Sequence, residues 1–115
     1  NGHCAARRLL ARVPTLDALL CHNDLVAVGA LQACAELGRA VPKDVAVIGF
    51  DNIPLSQLVW PKLTTVHYPI ARLGEQAVEM LLAHVDDDLF PDAQRQPLPH
   101  KICVTPELIV RESAP

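Results

Sequence analysis

The stretch Leu19–Asn52, LLCHNDLVAVGALQACAELGRAVPKDVAVIGFDN, decides the fold. Its first residues end a short apolar run, Leu16 to Cys21, which suits a strand. Ala27, Ala30, Leu31, Cys34 and Leu37 then recur at helical spacing, which predicts a helix over about 25–37. Asn23 or Asp24 supplies the N-cap, and Gly38 fits the left-handed position that ends helices. Val41-Pro42-Lys43-Asp44 reads as a turn. Val45–Phe50, VAVIGF, is almost continuously apolar, as expected of a parallel strand covered on both faces. Strand, helix and strand in this order predict a right-handed βαβ unit. Both strands run into polar residues: Cys21-His22-Asn23-Asp24 after the first and Asp51-Asn52 after the second. Open α/β sheets bind ligands at such carboxyl ends.

Outward from this unit, residues 2–12 read as a helix with Ala5, Ala6, Leu9 and Leu10 on one face, ended by Pro14. Residues 53–62, IPLSQLVWPK, read as a loop or short helix with exposed apolar groups. Leu63–Val66 suits a short strand. A third helix is expected over about 70–85, burying Ile70, Leu73, Ala77, Leu81 (or Met80) and Val85. Asp86-Asp87-Asp88 is expected as a solvated loop, because three carboxylates in a last turn oppose the helix dipole. Pro91 to Pro99 reads as irregular, Lys101–Val104 as a strand, and Leu108–Val110 as another.

Composition narrows the function classes. Half of the 115 residues are apolar, enough for a packed core and against disorder. Ten basic against thirteen acidic residues leave no basic stripe for nucleic acid. There is no apolar run of membrane-spanning length and no signal-peptide pattern. The chain opens at Asn1 without methionine and already in a helical pattern, the expectation for a piece of a longer protein. Cys4, Cys21, Cys34 and Cys103 lack C-x-x-C spacing and are read as buried free thiols in a reducing cytoplasm, in preference to disulfides or a metal site. The five histidines form no metal-spaced motif, and no cofactor is expected.

If the two strands pair side by side, Asn23 and Asp51 rim one crevice. A carboxylate such as Asp51 accepts two hydrogen bonds in a fixed plane, which suits vicinal sugar hydroxyls or a base N–H; capping the loop is the alternative role. Asn23 offers a donor and an acceptor. Asn23 and Asp24 compete for the cap, and His22 reads as a packing or surface residue. Catalytic signatures are missing: neither Ser56 nor Ser113 lies in G-x-S-x-G, and no phosphate-binding glycine loop occurs. Cys21 and His22 are strand neighbours pointing to opposite faces, so they form no nucleophile pair. No enzymatic activity is expected.

The motifs resemble the C-terminal part of LacI/GalR-type bacterial transcription regulators. N-D-x-x-A-x-G-A-L is met by Asn23, Asp24, Ala27, Gly29, Ala30 and Leu31; V-P-x-D-V-x-V-x-G-F-D runs from Val41 to Asp51; L-T-T-V is Leu63–Val66; P-E-L-x-V-R-E-S is Pro106–Ser113. The resemblance covers nearly the whole chain. It implies a partial periplasmic-binding-protein-like α/β fold: residues 1–66 and 106–115 in the C-terminal lobe of a two-lobed effector-binding domain, and residues 67–105 crossing over to the N-terminal lobe, with the helix-turn-helix headpiece that binds operator DNA absent from this chain. It implies Asp51 and Asn23 as contacts for a sugar or purine effector. Tyr68, where many relatives carry Gln, would stack on a pyranose or fill the hinge. It also implies a homodimer or higher oligomer, with Leu31, Cys34, Val59 and Trp60 at the interface, in a cytoplasmic protein without membrane contact. The rivals are a periplasmic sugar-binding protein of a transporter, which the free cysteines and the P-E-L-x-V-R-E-S ending disfavour, and an α/β enzyme fragment.

Overall fold

The computed structural model describes residues 1–89 and 101–115, with side chains through 82 and again from 101. Helices α1 (Gly2–Arg12), α2 (Asp24–Glu36) and α3 (Ile70–Leu89) accompany strands β1 (Ala18–Leu20), β2 (Ala46–Phe50), β3 (Thr64–His67) and β4 (Glu107–Ile109), with a 3-10 turn at Pro54–Gln57. The sheet order is β1-β2-β3-β4, parallel between β1, β2 and β3 and antiparallel between β3 and β4. Two compact units result: Asn1–His67 with Pro106–Pro115, and Tyr68–Thr105.

The βαβ unit forms as its pattern predicts, and Asn23 is the residue that caps α2: its side-chain oxygen accepts from the Val26 amide at 2.9 Å. Gly38 follows α2 at φ 67. The core lies between the helices and one face of the sheet. Ala27, Ala30, Leu31, Ala33 and Cys34 of α2 pack with Ala6 and Leu10 of α1 and with Leu19, Val45, Val47 and Leu63. Leu37 lies just beyond the end of α2 and is exposed, and so are Ala5 and Leu9 of α1, both expected inside. They occupy the edge of the apolar stripe, and α2 covers only its centre. β2 was expected to be covered on both faces. Val47 and Gly49 are buried, whereas Ala46 and Ile48 are half-buried and Leu20, on the same side as Ile48, is 79% exposed. The helices among the described residues of this unit stack on one another (α1 on α2, α2 on β2), leaving the second face thinly covered.

In the second unit α3 runs through Asp86–Asp88 to Leu89, where a loop was expected. No glycine or proline interrupts residues 75–90, so the backbone continues helically despite the unfavourable end charge. Ile70, Ala77 and Leu81 are exposed, and the half-buried positions are Leu73, Gln76 and Met80. That face adjoins Lys101 and Ile102, which form no strand. The last strand begins one residue earlier than expected, at Glu107. The Val85 side chain and the proline-rich stretch 91–99 lie outside the described residues.

A buried carboxyl group joins three parts of the first unit. Asp24 has no accessible surface. Its carboxylate accepts from the Thr65 hydroxyl at 2.5 Å and from the Ile53 amide at 2.8 Å. Gly49 lies directly beneath it, and a Cβ there would collide with the Asp24 carboxylate and press on Leu63. Asp24 is also the first residue of α2, where a negative charge faces the favourable end of the helix dipole. Replacing it with alanine strands two buried donors, so Asp24→Ala is expected to lower stability by about 3 kcal/mol in a denaturant titration. A wild-type midpoint would exclude this role.

Of the four thiols expected to be buried, Cys34 is buried and Cys21 half-buried, whereas Cys4 on α1 and Cys103, in a segment that forms no strand, are exposed. Burial, reinforced by Cys34, pushes the Cys21 thiol up to about 11, and burial likewise raises Cys34. Both groups keep their protons in the folded chain while the unfolded chain ionises near 9. For Cys21 this contribution is therefore full below pH 9 and falls as pH rises toward 11. At pH 8, a disulfide reagent is expected to modify the exposed Cys4 and Cys103 first and Cys21 and Cys34 only on unfolding. Equal rates at all four would contradict this packing.

Candidate functional site

The carboxyl ends of β1, β2 and β3 lie side by side. The ladder runs past the strand ends: the Cys21 amide donates to Ile48 O at 2.8 Å, and the Asp51 amide donates to Val66 O at 2.9 Å. This register brings the Asn23 and Asp51 regions to one rim of the sheet, as the topology predicts. Asn23 is half-buried, and its oxygen is committed to the helix cap, so its amide NH2 is the part left for a ligand. Asp51 is half-buried, and among the described residues its carboxylate accepts no hydrogen bond and forms no ion pair. It does not cap its own loop. His22 is exposed. Asp24 leaves the candidate list, because its carboxylate is consumed by Thr65 and Ile53. Tyr68 is half-buried and belongs to the second unit.

The turn that presents Asp51 has unusual backbone. Asp51 sits at φ 106 and Asn52 at φ 54, two successive non-glycine residues with positive φ. Such residues carry about 1–3 kcal/mol of strain each and persist where their surroundings over-determine them. Here the Asn52 amide donates to Thr65 Oγ1 at 3.3 Å. The Asn52 side-chain oxygen accepts from Arg111 Nη2 at 2.7 Å and from the Ser56 hydroxyl at 3.4 Å. Arg111 Nη1 also donates to Leu63 O at 2.7 Å and to Ser56 Oγ at 3.0 Å. Sequence reasoning missed this set. Its signal was the polar pair Thr64-Thr65 inside the strand run Leu63–Val66, with Arg111 and Ser113 just past the strand run Leu108–Val110.

The expected interface residues separate. Cys34 has no accessible surface and belongs to the core, so it presents nothing to a partner. Leu31 is nearly buried but reaches an apolar groove shared with Val28, Gln32, Ala35, Val59 and Trp60. Trp60 is 82% and Leu58 79% exposed. Val28, Gln32 and Ala35 were legible as a second helical stripe of α2, one that the core stripe overshadowed. Among the described residues no group of three His, Cys, Asp or Glu side chains can hold a metal ion, and no helix is long and apolar enough to cross a membrane.

The family model of the periplasmic binding protein-like domain matches residues 2–114. The chain is 40% identical over 116 residues to the HTH-type transcriptional repressor PurR of Haemophilus influenzae, covering 98% of this chain and 32% of that protein. It is 42% identical over 114 residues to the HTH-type transcriptional regulator MalR of Streptomyces coelicolor, covering 98% and 30%. A LacI family transcriptional regulator from Arthrobacter sp. FB24, solved in complex with lactose, superposes with a TM-score of 0.77 at 37% identity, over 99% of this chain and 41% of that one. The transcriptional regulator CelR in complex with cellobiose gives 0.81 at 34% identity, over 98% and 32%. The chain thus spans roughly a third of the length of the curated relatives it matches. With the sheet rim, the motif residues and these matches together, the chain belongs to the periplasmic-binding-protein-like family in its LacI-type regulator branch, and what it carries is effector-binding domain.

Proposed function

We propose that the chain supplies one wall of an effector cleft, and a dimerising surface, to a LacI/GalR-type transcriptional regulator. The observation that carries this reading is the Asp51 carboxylate, which has no partner among the described residues and is held on strained backbone at the same sheet rim as the capping Asn23. A free carboxylate at a sheet mouth takes two hydroxyl hydrogen bonds, and the Asn23 amide donates a third. Relatives solved with lactose, cellobiose and sucrose support a sugar as the effector class. The unit formed by Asn1–His67 and Pro106–Pro115 is read as the C-terminal lobe, and Tyr68–Thr105 as the crossover with part of the other lobe. Tyr68 would stack on a pyranose or fill the hinge between them. Operator DNA would be bound by a helix-turn-helix headpiece outside residues 1–115, and the effector would act by favouring one of two lobe arrangements. The curated relatives are regulators, which favours this reading over a transport protein. The groove of Val28, Leu31, Gln32, Ala35, Val59 and Trp60 fits a second copy, since contiguous exposed apolar surface marks association sites.

Two measurements on the intact regulator test the two halves of this reading. In calorimetric titrations with lactose, cellobiose, sucrose and hypoxanthine, Asp51→Asn is expected to weaken binding of the recognised compound by about 10- to 100-fold. The unfolding temperature should stay unchanged, because Asp51 has no partner among the described residues to lose and asparagine tolerates the same backbone. Undiminished affinity would remove Asp51 from the site. Trp60→Arg is expected to shift the protein from dimer to monomer in light scattering, and an unaltered mass would assign the groove another role.

A further inference from the structure

The geometry points to Arg111 as the positioning residue that holds Asp51 at the cleft rim, acting through Asn52. This rests on Asp51 being an effector contact. Asp51 and Asn52 stand at φ 106 and φ 54, where side-chain-bearing residues rarely stay unaided. Released, the pair relaxes toward negative φ and swings the Asp51 side chain off its present line.

Among the described residues three bonds oppose that relaxation directly at Asn52, the longest of them the 3.4 Å bond from the Ser56 hydroxyl to the Asn52 side-chain oxygen. The Asn52 amide bond to Thr65 Oγ1 is long, at 3.3 Å. Its side-chain bond from Arg111 Nη2 is short, at 2.7 Å, and charge-assisted, the stronger class. The guanidinium is itself fixed, because Nη1 donates to Leu63 O at 2.7 Å and to Ser56 Oγ at 3.0 Å. One planar fork thus ties the start of β3, the 3-10 turn and the strained turn together. Planarity matters here, since a lysine ammonium has the charge without the preset fork.

The segment carrying Arg111 is seated as firmly. The Arg111 amide donates to Thr64 Oγ1 at 2.8 Å. Two residues on, buried Ser113 donates its hydroxyl to Val47 O at 2.5 Å and accepts from the Thr64 amide at 2.9 Å. Among the described residues no carboxylate lies within ion-pair distance of Arg111, Asp51 included. Arg111 therefore does not neutralise Asp51. It fixes the backbone from which Asp51 projects.

The test compares Arg111→Lys, Asn52→Gly, Asn52→Asp and the double variant Arg111→Lys/Asn52→Gly in the intact regulator. The readouts are amide hydrogen exchange of peptides spanning 50–56 and affinity for lactose, cellobiose or sucrose, whichever the wild type binds. Arg111→Lys is expected to speed exchange in 51–53 while β2 and α2 keep theirs, and to weaken sugar affinity about tenfold, the worth of one charge-assisted hydrogen bond. Asn52→Asp keeps the acceptor and is expected to behave as wild type. The double variant should lose no more than Asn52→Gly alone, because both break the same link. Unchanged local exchange, exchange raised uniformly across the sheet, or fully additive losses would each overturn the proposal. Should Arg111→Lys fail to fold, Asn52→Gly carries the test: the same local rise and affinity loss support it, and wild-type behaviour refutes it. If Asp51→Asn leaves affinity intact while Arg111→Lys still loosens 51–53, the effector reading fails and the positioning role stands.

Discussion

The first unit depends on one buried carboxylate. Asp24 begins α2, underlies the loop after β2 through the Ile53 amide, and grips β3 through Thr65. Asp24 and its two partners come from three segments, which the carboxylate ties directly to one another. Gly49 is the steric counterpart: the strand must pass beneath the carboxylate with no side chain in the way. An uncompensated buried charge is costly, so the arrangement is an all-or-none fit. It sets how far α2 stands from the sheet, and therefore where the Asn23 cap lies relative to Asp51.

This separates the polar motif residues into two groups with opposite fates. Asp24, Ser56, Thr64, Thr65 and Ser113 are buried, and each is hydrogen-bonded. They join the sheet, the turn and the C-terminal segment into one lattice. Asn23 and Asp51 stand at its edge with polar atoms to spare. A side chain that satisfies itself inside the protein has nothing left to recognise a ligand. A half-buried one with no partner among the described residues keeps its hydrogen-bonding capacity open to solvent or to a ligand.

The βαβ unit, the cap region and the two strand ends were legible because periodicity, capping chemistry and parallel-strand hydrophobicity act over short distances. The edges of the apolar stripes were not. Whether Leu9, Leu37 or Leu81 is covered depends on the width of the neighbouring element, which no local pattern encodes. The family resemblance implies Cys34 at an interface because it assigns the whole of α2 there; one helix turns one stripe inward and another outward. The extension of α3 through three aspartates shows dipole preferences yielding to an uninterrupted backbone. The choice between Asn23 and Asp24 as cap needed coordinates, because both side chains are able to do it. The Asn52–Arg111 bond joins residues 59 apart, beyond any sequence window.

That separation has a kinetic meaning. Every bond from Arg111 to the turn closes a loop that contains the whole of Tyr68–Thr105. The entropy lost on closing a flexible loop grows with its length, and contacts between distant residues form late in folding. A compact Tyr68–Thr105 shortens the effective loop and brings β3 and β4 within reach of each other. The second unit thereby assists assembly of the Asp51 turn by connectivity, with no side chain of its own required there. Loosening that unit would slow maturation of this rim of the sheet, a form of communication carried by the chain itself.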